Sequence, residues 1–143
     1  MHFMPAPFRA PIRAFAGLVF AWRGEEVLVC DIYGRGWCIP SGRVEPYETS
    51  FEAVKREALE EGGAILEGIQ YLGSYQISER NEVRWADAYV AHVSDLVEIQ
   101  VVEESRDRQF MRLEDLSSCY HNWNELTEKV FQFSYEVYTR SRA

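Results

Sequence analysis

Between Thr49 and Gly63 the chain specifies both ends of a helix and fills its last turn with charge of a single sign. Thr49, followed three residues later by Glu52, is a capping box and predicts a helix starting near Ser50. Gly62-Gly63 supplies the stop. On a wheel of about 100° per residue, Phe51, Val54, Ala58 and Leu59 form an apolar face. Glu57, Glu60 and Glu61 fall on a separate face, within about 100° of one another. Like charges at such spacings destabilise a helix by roughly 0.2–0.5 kcal/mol per pair. Anions at the C-terminal end also oppose the macrodipole, at roughly 0.3–1 kcal/mol each. A helix that needed only solubility would carry lysines there. The arrangement makes sense if a hard cation such as Mg²⁺ sits among the carboxylates.

The rest of the chain sets limits on that idea. At 143 residues it has room for one domain with a proper core. Its net charge is −8, and Lys55 and Lys129 are the two lysines. Such a surface repels a phosphate backbone, which argues against a nucleic acid polymer as partner. A small phosphorylated molecule still fits if metal ions supply the positive charge locally. Cys30, Cys38 and Cys119 are odd in number and lack a Cys-x2-Cys spacing, so neither a disulfide framework nor a zinc site is expected. Cys30 and Cys38 lie in strand-like apolar runs and read as buried thiols. No 18-residue apolar run suggests a membrane span. Residues 1–12, with three prolines and no apolar signal core, read as a loosely ordered lead-in to a cytoplasmic protein.

Strand-like runs occupy 13–22 and 27–32, with Arg23-Gly24-Glu25 as the turn, and Trp37-Cys38-Ile39 is a short strand stopped by Pro40. A loop follows from Ser41 to Glu48. Beyond the charged helix, 64–77 and 83–93 read as strands joined at Ser78-Glu79-Arg80-Asn81, with further strands at 97–102 and 106–111. Asn122 and Glu125 form a second capping box, opening a helix to about Arg140 with Leu126, Val130, Phe133 and Val137 at helical spacing. The order strands, helix, strands, helix predicts an α/β fold in which helices flank a mixed sheet, with residues 13–143 as one domain.

The run from Gly42 to Ala64 reads Gly-x5-Glu-x7-Arg-Glu-Ala-x-Glu-Glu-x-Gly-Ala. It resembles the signature of the Nudix hydrolases, with Gly42, Glu48, Arg56, Glu57, Glu60, Glu61 and Gly63 at the seven fixed positions. At about one in fifteen per position, chance gives on the order of 10⁻⁸ per starting point, so the match is specific. The departures are mild: Ala58 and Ala64 are small where a larger apolar residue is commoner. The resemblance implies the family's α/β/α sandwich. It also implies Mg²⁺- or Mn²⁺-dependent hydrolysis of a nucleoside diphosphate linked to another group. By the family pattern Glu57, Glu60 and Glu61 are the metal ligands, Arg56 orients the glutamates, Glu48 supports the site, and Gly42 is where the backbone turns tightly beside the metal. The catalytic base in the family is a signature glutamate or a carboxylate on a later loop. Glu103, Glu104 and Asp107 lie in that region here, before Phe110-Met111-Arg112-Leu113-Glu114-Asp115-Leu116, a run similar to one common late in Nudix chains. Glu104 is the first choice.

Each of these residues also has a plainer reading. The three glutamates would otherwise be a solvated acidic face, Arg56 and Glu48 a surface ion pair of little worth, and Glu104 an ordinary loop carboxylate. Tyr75, Trp85 and Tyr89 are candidates to stack on a base, but core packing is the commoner fate of an aromatic. The histidines show no ligand spacing. Phe131, Tyr135 and Tyr138 on the last helix offer a face for a homodimer, so both monomer and homodimer stay open. A non-catalytic nucleotide-binding or regulatory module is the competing function. The intact Arg-Glu and Glu-Glu pairs argue against it, because degenerate relatives usually lose them. No substrate-specific mark follows the signature, and a compact chain without insertions suggests a MutT-like enzyme acting on a nucleoside triphosphate.

Overall fold

The computed structural model describes residues 1–142. In chain order it forms β1 (His2–Pro5), β2 (Ala16–Arg23), β3 (Glu26–Ile32), β4 (Gly36–Cys38), β5 (Ser41–Arg43) and α1 (Ser50–Gly62). These are followed by β6 (Ala64–Glu79), β7 (Glu82–Leu96), β8 (Ser105–Arg112), α2 (Leu113–Leu116) and α3 (Glu125–Ser141). The sheet runs β1-β6-β7-β2-β3-β4, with β5 paired to β2 and β8 to β3. Only the β2–β7 pair is parallel among these pairings, so the sheet is mixed, as expected.

Helices cover both faces of the sheet, and the strand sequences show why. In β2, Val19 and Ala21 join the cluster that includes Val54 and Ala58 of α1. Phe20 and Trp22 join the cluster that includes Val130, Phe131 and Tyr138 of α3. The same alternation puts Leu28 and Cys30 on the α1 side of β3, and Val27 and Val29 on the α3 side. A strand buried on both faces reads as a continuous apolar run, and these central strands do. β6 and β7 form one long hairpin whose turn residues, Arg80 and Asn81, both have positive φ (48° and 68°). Two such residues match the right-handed twist of the flanking strands.

Five expectations need correction. The lead-in is not wholly loose: His2–Pro5 add an edge strand to β6, in register from His2 opposite Gln76 to Pro5 opposite Gly73. Proline, lacking an N–H, is tolerated at such an edge. Residues 97–102 are a loop rather than a strand, because their amides turn to the end of α1 instead of to a neighbouring strand. Part of the 41–48 loop is the short strand β5. The N-cap of α3 is Asn124, whose side chain accepts from Thr127 N, two residues later than the Asn122-Glu125 reading. The buried line of α3 is Val130, Phe131, Ser134 and Tyr138. Phe131 and Tyr138 are therefore spent in the core and offer no dimer face.

Candidate functional site

The N-terminus of α1 is fixed as the sequence predicts. Thr49 accepts from Glu52 N while the Glu52 carboxylate accepts from Thr49 N at 2.9 Å. The face that α1 buries is turned from the expected one. Phe51 is 41% exposed, whereas Val54, Ala58 and Glu61 are buried. One of the three glutamates thus points inward instead of into solvent.

Arg56 organises the others. Its guanidinium grips Glu48 with two bonds, Nε to Oε2 at 3.2 Å and Nη2 to Oε1 at 2.7 Å. Nη1 donates to Glu57 Oε1 at 2.7 Å and to Glu60 Oε2 at 3.2 Å. Nη2 also donates to the Arg43 carbonyl at 3.1 Å. Such forked, charge-assisted bonds fix direction as well as distance. The Glu48 side chain is only 7% exposed, so this is not the weak surface ion pair of the plainer reading. The Arg56 bonds hold the Glu48 carboxyl below the usual carboxylate range. Its second anchor is Glu45 N, which donates to Oε1 at 3.0 Å.

Gly42 has a different role from the one expected. Its φ is not positive, and it sits in β5 opposite Gly17 of β2. A Cβ there would collide with the Glu57 carboxyl group. Glycine here leaves room for the flexible Glu57 carboxylate to lie against the strand, and any Cβ would make that carboxylate move.

Glu61 lies beneath this array. Its Oε1 accepts from Ser41 N at 3.0 Å. Burial pushes its carboxyl up to about 8; the charges of Glu57 and Glu104 add to the rise, and the Ser41 bond opposes it. Burial also raises Glu57, against the pull of Arg56, and Glu60 and Glu104 push it the same way. Glu104 is thus close enough to bear on both glutamates, although it lies on the loop before β8. Asp107 sits in β8 opposite Asp31 and accepts from its neighbour Arg108 N. Glu103 is exposed on the same loop as Glu104.

Beside Ser41 lies a cavity of about 230 Å³, walled by Phe20, Tyr75, Tyr120 and Phe131. Of the three aromatics singled out for stacking, Tyr75 alone lines it. Trp85 packs on Phe8, and Tyr89 is buried with its hydroxyl 2.7 Å from Ser50 Oγ. Arg35, Tyr120, His121 and Asn122 also reach this cavity. Sequence reasoning gave them no role in the site because Arg35, Tyr120 and His121 lie outside any motif, Asn122 reads there as a helix cap, and Arg35 is far from the others in the chain. The Arg35 charge favours the ionised form of Glu61. Tyr120 OH accepts from Ile39 N at 3.2 Å, and His121 N donates to the Trp37 carbonyl at 2.9 Å.

The donor set suits a hard divalent ion. Glu57, Glu60 and Glu61 offer only carboxylate oxygens, and they occupy one helical turn. Among the described residues no three acidic, His or Cys side chains close on a common point, and Arg56 stands between Glu57 and Glu60. Mg²⁺ is commonly bound by one or two carboxylates completed by substrate phosphates and waters, and a closed protein cage is not required. Small side-chain rotations of Glu57 and Glu60 away from Arg56 would present their oxygens, with Glu61 held from below by Ser41.

The NUDIX domain family model matches residues 10–136. The chain belongs to the Nudix family. It is 36% identical over 73 residues to a Bacillus subtilis protein named "Putative 8-oxo-dGTP diphosphatase YtkD", covering 51% of this chain and 46% of that one. It is 27% identical over 108 residues to the mitochondrial Nudix hydrolase 16 of Arabidopsis thaliana, covering 69% of this chain and 60% of that one. The matched segments thus span about half of these relatives' length. Among solved structures, a pyrophosphohydrolase of Bacillus subtilis superposes with a TM-score of 0.78 at 24% identity, over 97% of this chain and 90% of the other. A MutT Nudix hydrolase of Burkholderia pseudomallei gives 0.66 at 22%, over 82% and 94%. At these identities the Nudix likeness is one of fold, and the α/β architecture with a helix-flanked mixed sheet agrees with it. No helix among the described residues is long and apolar enough to cross a membrane.

Proposed function

We propose that this Nudix domain, acting as a single unit over residues 13–143, is a divalent-metal-dependent pyrophosphohydrolase. Its bond is a phosphoanhydride in a nucleoside diphosphate linked to another group, and Mg²⁺ or Mn²⁺ is the ion. The observation that carries this reading is the Arg56 network, which ties Glu48, Glu57 and Glu60 together over the buried Glu61. A charged cluster so directed has little use in a binding module, since each buried carboxylate costs desolvation free energy that solvated ones would avoid.

The roles are divided among the chain's own groups. Glu57, Glu60 and Glu61 would hold the ion, Gly42 lets Glu57 lie flat on β5, and Arg56 with Glu48 sets the direction of the carboxylates. When bound, the ion would polarise the diphosphate and neutralise its charge. Glu104 is the general base in this reading, favoured over Glu103 and Asp107 because its charge bears on both Glu57 and Glu61. The aromatic-walled cavity beside Ser41 takes the nucleobase, with Tyr75 or Tyr120 against its ring. A nucleoside triphosphate is the substrate class most in keeping with the compact chain and with the name of the Bacillus relative. Three free cysteines, two of them buried, suit a cytoplasmic setting.

Phosphate release, coupled to added pyrophosphatase or phosphatase, tests the reading. The panel would contain common and oxidised nucleoside triphosphates, ADP-ribose, NADH, nucleotide sugars and a dinucleoside polyphosphate, each with and without Mg²⁺ or Mn²⁺. Metal-dependent turnover is expected to be highest for a triphosphate. Turnover confined to another class would replace the substrate, and no turnover anywhere would favour a binding module.

A further inference from the structure

A helix leaves its last four carbonyls without intrahelical partners, and α1 has no basic residue in its last turn to meet them. Gly63 N satisfies Leu59 O at 3.0 Å. The other three carbonyls are met from a single later stretch. Gln100 N and Val101 N both approach Glu60 O at 3.3 Å. Ser105 Oγ, in a residue 1% exposed, donates to Glu61 O at 2.6 Å. Arg108 Nη1 donates to Gly62 O at 2.8 Å. The same nitrogen donates to Val97 O, and Val97 N returns a 2.7 Å bond to Gly63 O. One guanidinium therefore joins the end of α1 to the first residue of the loop that leads to Glu104.

Little apolar burial helps to hold that loop, Ile99 and Val101 being only half-buried. No side chain from Val97 to Glu104 is buried, and Val102 is 66% exposed. Its position is set by hydrogen bonds, of which the Arg108 pair is charge-assisted and so the strongest. Glu104 sits at the far end, its N–H donating to Val101 O and its carbonyl accepting from Tyr33 N, each at 2.9 Å. A cation at this point also offsets what α1 lacks, a positive charge at the negative end of its dipole.

We propose that Arg108 is a positioning residue: by clasping Val97 to Gly62 it sets the 97–104 loop against the last turn of α1 and holds Glu104 at the glutamate cluster. This rests on Glu104 being the base, and the test separates the two claims. Arg108→Met keeps the aliphatic stem and removes the donors, Arg108→Lys restores a charged donor, and Arg108→Gln stands in if the Met variant does not fold. The measurements are kcat and KM with the fastest nucleotide of the panel, for Arg108→Met, Glu104→Gln and the double variant. Amide hydrogen exchange at Gln100 and Val101 in the metal-free chains is read alongside. Arg108→Met should lower kcat about a hundredfold, the scale of an ångström-level misplacement, with KM little changed and both amides exchanging faster. Arg108→Lys should recover part of each. In the Glu104→Gln background Arg108→Met should cost nothing further. Losses that multiply, or unchanged exchange, would overturn the role of Arg108 while leaving Glu104 as base. Full turnover by Glu104→Gln alone would remove the base assignment, and the positioning role with it.

Discussion

Glu61 is the residue whose chemistry is most sensitive to its surroundings. It lies beneath the half-buried pair Glu57 and Glu60, 7% exposed, with Ser41 N as its donor. Its folded carboxyl titrates near 8, well above the ordinary 4.5. The folded state therefore binds the proton more tightly than the unfolded chain does. The stability this contributes is fully present below about pH 4.5 and is lost as pH rises through about 8. The metal-free chain is predicted to show a falling Tm between pH 5 and pH 9, with a smaller slope in Glu61→Gln. Mg²⁺ binding should respond in the opposite sense, tightening over the same range and releasing a proton, because a ligating carboxylate must be ionised. Calorimetric titration in two buffers of different ionisation enthalpy measures that proton. The acidic residues of this site were legible by type and spacing, since the signature fixes both. Which of them is buried was not, because burial depends on β5 and the Cys30–Cys38 strand pair lying beneath the helix, and no local pattern records that contact.

At the scale of elements, what could be read was whatever local chemistry decides. The capping box at Thr49, the stop at Gly63, the Arg23–Glu25 turn and the central strands are set by residues within a few positions of one another, and they stand where the sequence places them. Residues 97–102 look like a strand because Val97, Ile99 and Val101 alternate. They become a loop because the unpaired carbonyls of α1 take their amides, a tertiary demand that outweighs propensity. β1 was hidden for a similar reason: its pairing to β6 is settled by an open sheet edge more than 60 residues away in the chain. Gly63 belongs to both local and tertiary accounts. Its φ is +59°, and a Cβ would come within 3.0 Å of the Val97 carbonyl carbon while also striking Arg108. Gly63→Ala is predicted to cost more than about 1 kcal/mol of stability, since alanine is strained at positive φ. It should also lower kcat by displacing the loop, which denaturant unfolding and steady-state kinetics measure together. Loss of stability with unchanged kcat would detach the loop from catalysis.

Over the whole molecule, the sheet separates two jobs. The α3 side is a core stitched by aromatic contacts and by the buried bond from Trp22 Nε1 to Ser134 Oγ at 3.0 Å. The α1 side carries the glutamates, and the cavity beside Ser41 is lined by Phe20, Ile39 and Phe131 of the α3-side cluster. The net charge of −8 makes the folded chain a poor partner for phosphates until a cation is present. An ion that binds only the folded state raises stability by mass action, about 2.7 kcal/mol at a hundred times its Kd. The most direct test of the account is therefore one titration read two ways: Mg²⁺ added to the wild-type chain and to Glu60→Gln, following Tm and nucleotide turnover together. Mg²⁺ is expected to raise the wild-type Tm and to switch on turnover over the same concentration range. Glu60→Gln should fold, show a reduced shift and lose turnover by orders of magnitude. Equal turnover in the two proteins, or a wild-type chain indifferent to millimolar Mg²⁺ and Mn²⁺ in both readouts, would contradict it.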